Sequence, residues 1–261
     1  MAEIILKIEN FTKAFGGSLV AVDNLSFTQS RGTVKSVIGP NGAGKTTLVN
    51  LIMGYFHKRE WGGRIYFDGQ EISELKKYER ASLGITETYQ LVKVFKNMSV
   101  MENVMVGMHS RTKGNIIENI IRVGKTVREE RFIFNEAMKY LKMVNLEERA
   151  GDEVESLPYG TQKLVEIARA IASNPKLLIM DEPAAGLNSF EAKELSELIM
   201  KIRNNGITVL IIEHNMDLVM NLSDEILVMN LGKKLAEGSP AEIQRNKEVI
   251  RAYLGEEIGF A

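Results

Sequence analysis

The sequence predicts an α/β fold: a core with a parallel sheet and a phosphate-binding loop, an antiparallel β layer beside it, and an inserted helical subdomain. Three observations predict it. Residues 39–46 carry the spacing G-x-x-x-x-G-K-[ST] between an apolar run at 34–38 and a helix-like stretch at 46–53. From Gln162 onward, helical stretches alternate with apolar runs at 177–180, 209–212 and 226–229, the pattern of βαβ units in a parallel sheet. Between Val92 and about Ser156 the strand-like runs vanish, and helix-compatible stretches such as 128–144 dominate.

In chain order, residues 4–29 read as short strands with turns at Gly16-Gly17 and Asp23-Asn24. The first residues hold charges inside their apolar stretch, so they read as a strand and not as a signal peptide. The run at 64–67 is followed by Asp68-Gly69, a hairpin or turn signal. These pieces form the antiparallel layer. The expected organisation is one domain over 1–261, with the α/β core and its β layer at 1–91 and 157–261 and the helical subdomain at 92–156. No repeat and no low-complexity linker interrupts it.

The loop Gly39, Pro40, Asn41, Gly42, Ala43, Gly44, Lys45, Thr46, Thr47 suits a nucleotide. Its glycines allow turns that a β-carbon blocks, so backbone N–H groups converge on phosphate oxygens at a positive helix end. Lys45 would reach the β- and γ-phosphates, and the Thr46 hydroxyl would meet Mg²⁺. The run at 177–180 ends in Asp181 and Glu182. A continuous apolar strand is buried on both faces, and ligands of parallel sheets gather at the strands' carboxyl ends. Asp181 suits the Mg²⁺ shell through water. Glu182, one residue on, is placed to act on an attacking water as general base.

Composition narrows the class. The 261 residues have a net charge of −1, which makes no strong electrostatic case for nucleic acid or anionic lipid. Hydrophobic content of 44% supports a substantial core, and there is no cysteine for a disulfide framework or thiol chemistry. The 13 methionines are dispersed and read as core filling. No apolar run approaches the roughly 18 residues that cross a bilayer. A role in transport would therefore require separate membrane subunits, with this chain at the cytoplasmic face.

Further segments carry a resemblance. Leu157-Pro-Tyr-Gly-Thr-Gln162 lies a helix upstream of Asp181-Glu182, Ala184-Ala-Gly-Leu-Asn188 follows it, Thr208-Val-Leu-Ile-Ile-Glu-His214 comes one helix later, and Gln90 stands between the phosphate loop and all of them. In order and spacing the chain resembles ATP-binding-cassette ATPases over nearly its whole length. Tyr159-Gly160, the Asp-Glu-Pro-Ala-Ala-Gly-Leu-Asn run and the tail Arg251-Ala-Tyr-Leu-Gly255 look most like the ATP-binding subunits of branched-chain amino-acid importers.

That resemblance implies ATP hydrolysis by a dimer, with each ATP held between one subunit's phosphate loop and the other's Tyr159, Gly160, Thr161 and Gln162. It implies permease subunits in the membrane, a second ATP-binding subunit and, indirectly, a periplasmic or extracellular solute-binding protein. Gln90 would lie near Mg²⁺ and the water. His214 would contact the γ-phosphate, the alternative being a core histidine. Phe15 would stack on adenine, the alternative being a core phenylalanine. His57 and His109 carry no role.

The chain also departs from the family pattern. Pro158, Tyr159 and Thr161 stand where Ser, Gly and Gln are common, and Glu87 stands where Arg is frequent. Proline has neither hydroxyl nor N–H to offer a γ-phosphate. The amphipathic segment at 115–122, with Arg122, Lys125, Arg128 and Arg131 nearby, reads as a solvated helical face, with membrane or partner contact as the alternative. The rival functions are an ATPase for lipid or lipopolysaccharide export, a soluble cassette ATPase acting on nucleic acid or ribosomes, and a regulator that binds nucleotide without hydrolysis.

Overall fold

Val34–Ile38, wholly buried, is the strand β3 around which the chain is organised. The computed structural model describes residues 3–16, 19–109 and 127–257, with the side chains of 127–132 and 254–257 excepted. The segment 115–122 and Lys125 lie outside the described residues, as do the side chains of Arg128, Arg131 and Leu254.

Six strands form the main sheet in the order β10-β9-β3-β8-β7-β6: Lys233–Gly238, Glu225–Asn230, Val34–Ile38, Thr208–Ile212, Leu177–Asp181 and Ile85–Thr88. All neighbours are parallel except the β9–β10 pair. A second sheet, order β2-β1-β4-β5, is antiparallel. Its strands are Leu19–Ser30, Ile4–Phe15, Gly62–Phe67 and Gln70–Glu71.

The period-two alternation of side chains sorts the parallel strands onto two faces. Val37, Leu177, Ile179, Leu210 and Ile212 pack with helix α1 (Lys45–Met53) and the antiparallel layer. Leu178, Met180, Val209 and Ile211 pack on the other side in the cluster that holds α3 (Val100–Gly107), α4 (Val127–Met143) and α5 (Tyr159–Ala172). Helix α5 therefore touches both the sheet and the helices before it. Ile38, Ile226 and Val228 meet α7 (Met216–Leu222), α8 (Pro240–Gln244) and α9 (Lys247–Glu257). The remaining α-helices among the described residues are α2 (Lys77–Ser82) and α6 (Ser189–Asn204).

Two details differ from the sequence-based expectation. The N-terminal strands are long and irregular, and Asp23-Asn24 is no turn. Asn10 and Asn24, both at positive φ, sit where the β1–β2 register shifts. Their amides donate to Ser26 Oγ (2.8 Å) and Thr12 Oγ1 (3.1 Å), so hydroxyls replace the lost ladder bonds. Nor is the run at 34–38 uniformly apolar: Lys35 is fully buried and is held by Glu225 (2.9 Å), Glu237 and the Thr28 carbonyl. The other half of the expected first turn, Gly17, lies outside the described residues.

The end of α1 is anchored by a buried cation. Arg80, 1% exposed, donates to the carbonyls of Leu51, Ile52, Leu75 and Ser73. Two of these belong to the helix's last turn, where intrahelical donors run out; the Leu51 carbonyl also accepts from the Gly54 amide at 3.3 Å. Burial pulls the Arg80 guanidinium down to about 10, still charged at neutral pH.

Candidate functional site

Four carboxyl ends of the parallel strands open on the same edge. β3 runs into the loop at 39–46, β7 into Asp181-Glu182, β8 into Glu213-His214 and β6 into Gln90. This is where an open parallel sheet presents its ligand site.

The loop is packed so tightly that glycine is required. A β-carbon on Gly39 would lie 2.1 Å from the Met229 carbonyl oxygen, and one on Gly44 2.1 Å from that of Ala21. Gly44, at φ 97°, caps α1 without any side-chain bond, which leaves the helix's first amides to the loop's concave side. The amide of Gly232, in the β9–β10 turn, donates to Ala43 O at 3.1 Å and fixes the loop from behind. Pro40 and Ala43 are buried, whereas Asn41, Gly42 and Thr46 are exposed and Thr47 is half-buried. Lys45 Nζ donates to Gly39 O (2.6 Å) and Pro40 O (3.0 Å), so its ammonium is folded over the loop.

The Asp181 carboxyl is pushed up to about 6, first by burial, then by Glu182 and Glu87, with Lys45 opposing. A carboxylate surrounded by other carboxylates is one a divalent cation would relieve. No group of three His, Cys, Asp or Glu among the described residues forms a metal cage. The hydroxyl of Thr46 and the carboxylate of Asp181 are hard oxygen donors of the kind that suit Mg²⁺, an ion that keeps waters and shares its shell with phosphates.

Gln90 and Glu182 meet directly: Gln90 Nε2 donates to Glu182 Oε2 at 2.8 Å. Glu182 holds φ +46°, uncommon for a side chain of this size. Its own amide donates to Ile212 O (2.9 Å), which ties the β7 end to β8. His214 Nδ1 lies 3.9 Å from both Glu182 Oε2 and Glu213 Oε2, in the group but beyond hydrogen-bond range. Its side chain is 65% exposed, so the core-histidine alternative does not hold.

Phe15 stands apart from this group, at the end of β1. It is 38% exposed, which removes the core alternative, and it meets Phe56 edge-on at 5.7 Å with Lys13 Nζ 4.8 Å above its ring. The motif at 157–162 begins α5. Pro158 is the N-cap and makes no side-chain cap bond. Tyr159 is exposed, its ring lies against Gly186, and its hydroxyl is 3.5 Å from Gln90 O. Gly160 lies close under α6: a β-carbon there would be 2.8 Å from Glu191 Oε1. Thr161 is half-buried, and Gln162 Nε2 donates to Leu157 O at 2.9 Å.

Sequence reasoning missed Glu213. It is fully buried and accepts from the amides of Ala184 (2.8 Å), His214 (2.9 Å) and Asn215 (3.1 Å). It thus joins the loop after Glu182 to the loop bearing His214. The available signal was a carboxylate directly after the apolar run at 209–212, which must find donors. Lys163 on α5 was also missed; it is 3% exposed and donates to Glu182 O and Ala185 O, both at 3.1 Å.

Comparison with known proteins gives consistent matches. The family model described as ABC transporter matches residues 22–185, and the model described as Branched-chain amino acid ATP-binding cassette transporter matches residues 233–258. The chain is 42% identical over 257 residues to the high-affinity branched-chain amino acid transport ATP-binding protein BraF of Pseudomonas aeruginosa, covering 98% of this chain and 100% of that protein. It is 40% identical to the corresponding LivG protein of Escherichia coli (strain K12), with the same coverage. Among solved structures it is similar to the ADP conformation of MJ1267, an ATP-binding cassette of an ABC transporter (TM-score 0.82, 33% identity, 97% of this chain and 99% of that one). A nucleotide-free ATP-binding cassette is similar at TM-score 0.81 and 33% identity, covering 96% and 98%.

Proposed function

The chain belongs to the ABC transporter family, and from that premise we propose that it is the ATP-hydrolysing subunit of a branched-chain amino-acid importer. The observation that carries the hydrolytic part is the convergence of Lys45, Asp181, Gln90, Glu182 and His214 at one sheet edge. The solute class rests on the relatives' transport role and on the match over the last strand and two helices.

In this reading Phe15 stacks on adenine, and the loop amides and Lys45 hold the phosphates. Thr46 and Asp181 would hold Mg²⁺, Asp181 through water, with Gln90 beside them, and the ion would supply neutralisation of phosphate charge. Glu182 takes the proton of the attacking water, whose oxygen bonds to Pγ as the bond from Pγ to the leaving oxygen breaks. Gln90 occupies one Glu182 oxygen and leaves the other for that proton. His214 steadies the γ-phosphate. Phosphoryl transfer needs mainly such positioning and charge stabilisation.

Each site is completed by residues 157–162 of a second ATP-binding subunit, and the helical part at 92–156 transmits opening and closing to permease subunits. A solute-binding protein takes part indirectly. No helix among the described residues is long and apolar enough to cross a membrane; we place the chain peripherally on the cytoplasmic face, held by the permease. Pro158 offers no hydroxyl to the opposing site, so a sister chain with a fuller motif makes the better partner.

The test is copurification of the tagged chain from its native membranes. Two permease subunits and a second ATP-binding subunit are expected. Recovery with a lipid-export permease, or with ribosomes and no membrane protein, would overturn the reading.

A further inference from the structure

One face of α5 carries four polar side chains at helical spacing: Tyr159, Lys163, Glu166 and Arg169. The last three are on a helix that otherwise supplies the core, and Lys163 and Glu166 are 3% and 1% exposed. Each of the three bonds to backbone on either side of the Gln90–Glu182 pair. Lys163 Nζ donates to Glu182 O and Ala185 O at 3.1 Å. Glu166 Oε1 accepts from Lys93 N at 2.9 Å, and Arg169 Nη2 donates to the carbonyl of the same Lys93. One rigid helix face therefore grips the segment after Gln90 by both its N–H and its C=O, and the turn after Glu182 by two carbonyls.

Buried charges at such spacing are costly, and burial drives the Glu166 carboxyl upward and the Lys163 ammonium downward from their ordinary values. An apolar face would serve the core better. What these residues provide is fixed geometry: the Gln90–Glu182 contact of 2.8 Å lies between the two gripped segments.

We propose that Lys163, Glu166 and Arg169 are positioning residues that set the alignment of Gln90 with Glu182 for water activation. This rests on the reading of Glu182 as the base. They touch neither nucleotide nor water; they act by holding two backbones. The same helix begins at the motif expected to meet the other subunit's ATP. Movement of its N-terminus on dimer closure is thereby carried to this chain's own Gln90 and Glu182.

The test is steady-state ATPase kinetics of the copurified complex carrying Glu166→Leu, Glu166→Gln or Lys163→Met, with Glu182→Gln as reference and thermal unfolding measured for each. Glu166→Leu removes the acceptor for the Lys93 amide, so kcat should fall about tenfold or more while KM for ATP stays within about twofold. Glu166→Gln keeps an acceptor oxygen and should restore kcat to within about threefold of the parent. Lys163→Met, which acts from the other gripped segment, should reproduce the kcat loss at constant KM, and it decides the matter if Glu166→Leu does not fold.

Wild-type kcat in both Glu166→Leu and Lys163→Met would overturn the inference, as would a joint loss of kcat and KM that Glu166→Gln fails to relieve. Normal turnover in Glu182→Gln would instead overturn the reading of the base, and this inference with it.

Discussion

Glu182→Gln binds ATP and fails to turn it over, with kcat reduced by about 10²- to 10⁴-fold, the contribution of a positioned general base. The substitution keeps the shape of the side chain. Glutamine can turn its carbonyl oxygen to the Gln90 amide, which now donates to Glu182 Oε2 at 2.8 Å. The backbone bonds that hold residue 182, from its amide to Ile212 O and from Lys163 to its carbonyl, are untouched. Proton acceptance is lost. One negative charge beside the γ-phosphate is lost as well, so the ATP-bound dimer should gain stability. Sedimentation with ATP should show dimers accumulating in the variant and dispersing in the parent as ATP is consumed. Turnover at the parent's rate would remove Glu182 from the chemistry.

Lys45→Ala acts one step earlier, on binding. The ammonium sits over the loop on the carbonyls of Gly39 and Pro40, and phosphate oxygens are the stronger acceptors for it. Two charge-assisted bonds to phosphate contribute about 1.5–3 kcal/mol each, so ATP affinity should fall by about 10²-fold or more. Calorimetric titration of ATP reads this directly. The loop amides and the ring of Phe15 remain, so residual weak binding is compatible with the account. An unchanged affinity is not.

What the sequence revealed follows from how local each signal is. The phosphate loop, the Asp181-Glu182 step and the Asp68-Gly69 hairpin depend on neighbouring residues, and all three sit as expected. Asp68 and Gly69 take φ 52° and 79°, the turn that their residue types prefer. The β9–β10 hairpin uses the same geometry at Leu231 and Gly232, φ 46° and 79°. It escaped notice because leucine there carries no turn signal and stands against its own preference.

The missed site residues share a different cause. Glu213, Lys163 and Glu166 are charged, and charge along a helix or after a strand reads as solvated surface. Their burial follows from backbone groups brought close by distant segments: Ala184 for Glu213, Ala185 for Lys163 and Lys93 for Glu166. Arg80 is the same case, a cation whose four carbonyl partners lie in two separate stretches of chain, 51–52 and 73–75. No local pattern announces such contacts.

The central claim, that this edge of the sheet hydrolyses ATP to move a branched-chain amino acid, is tested most directly by uptake into vesicles. The chain, its copurified permease and its second ATP-binding subunit would be reconstituted with ATP and Mg²⁺ on the side of the ATPase subunits, and labelled leucine followed across the bilayer in the presence of the matching solute-binding protein. The account predicts accumulation that requires ATP and is lost when Glu182→Gln replaces the parent chain. Leucine uptake that proceeds equally with Glu182→Gln, or ATP-driven movement of lipid with none of leucine, would contradict it.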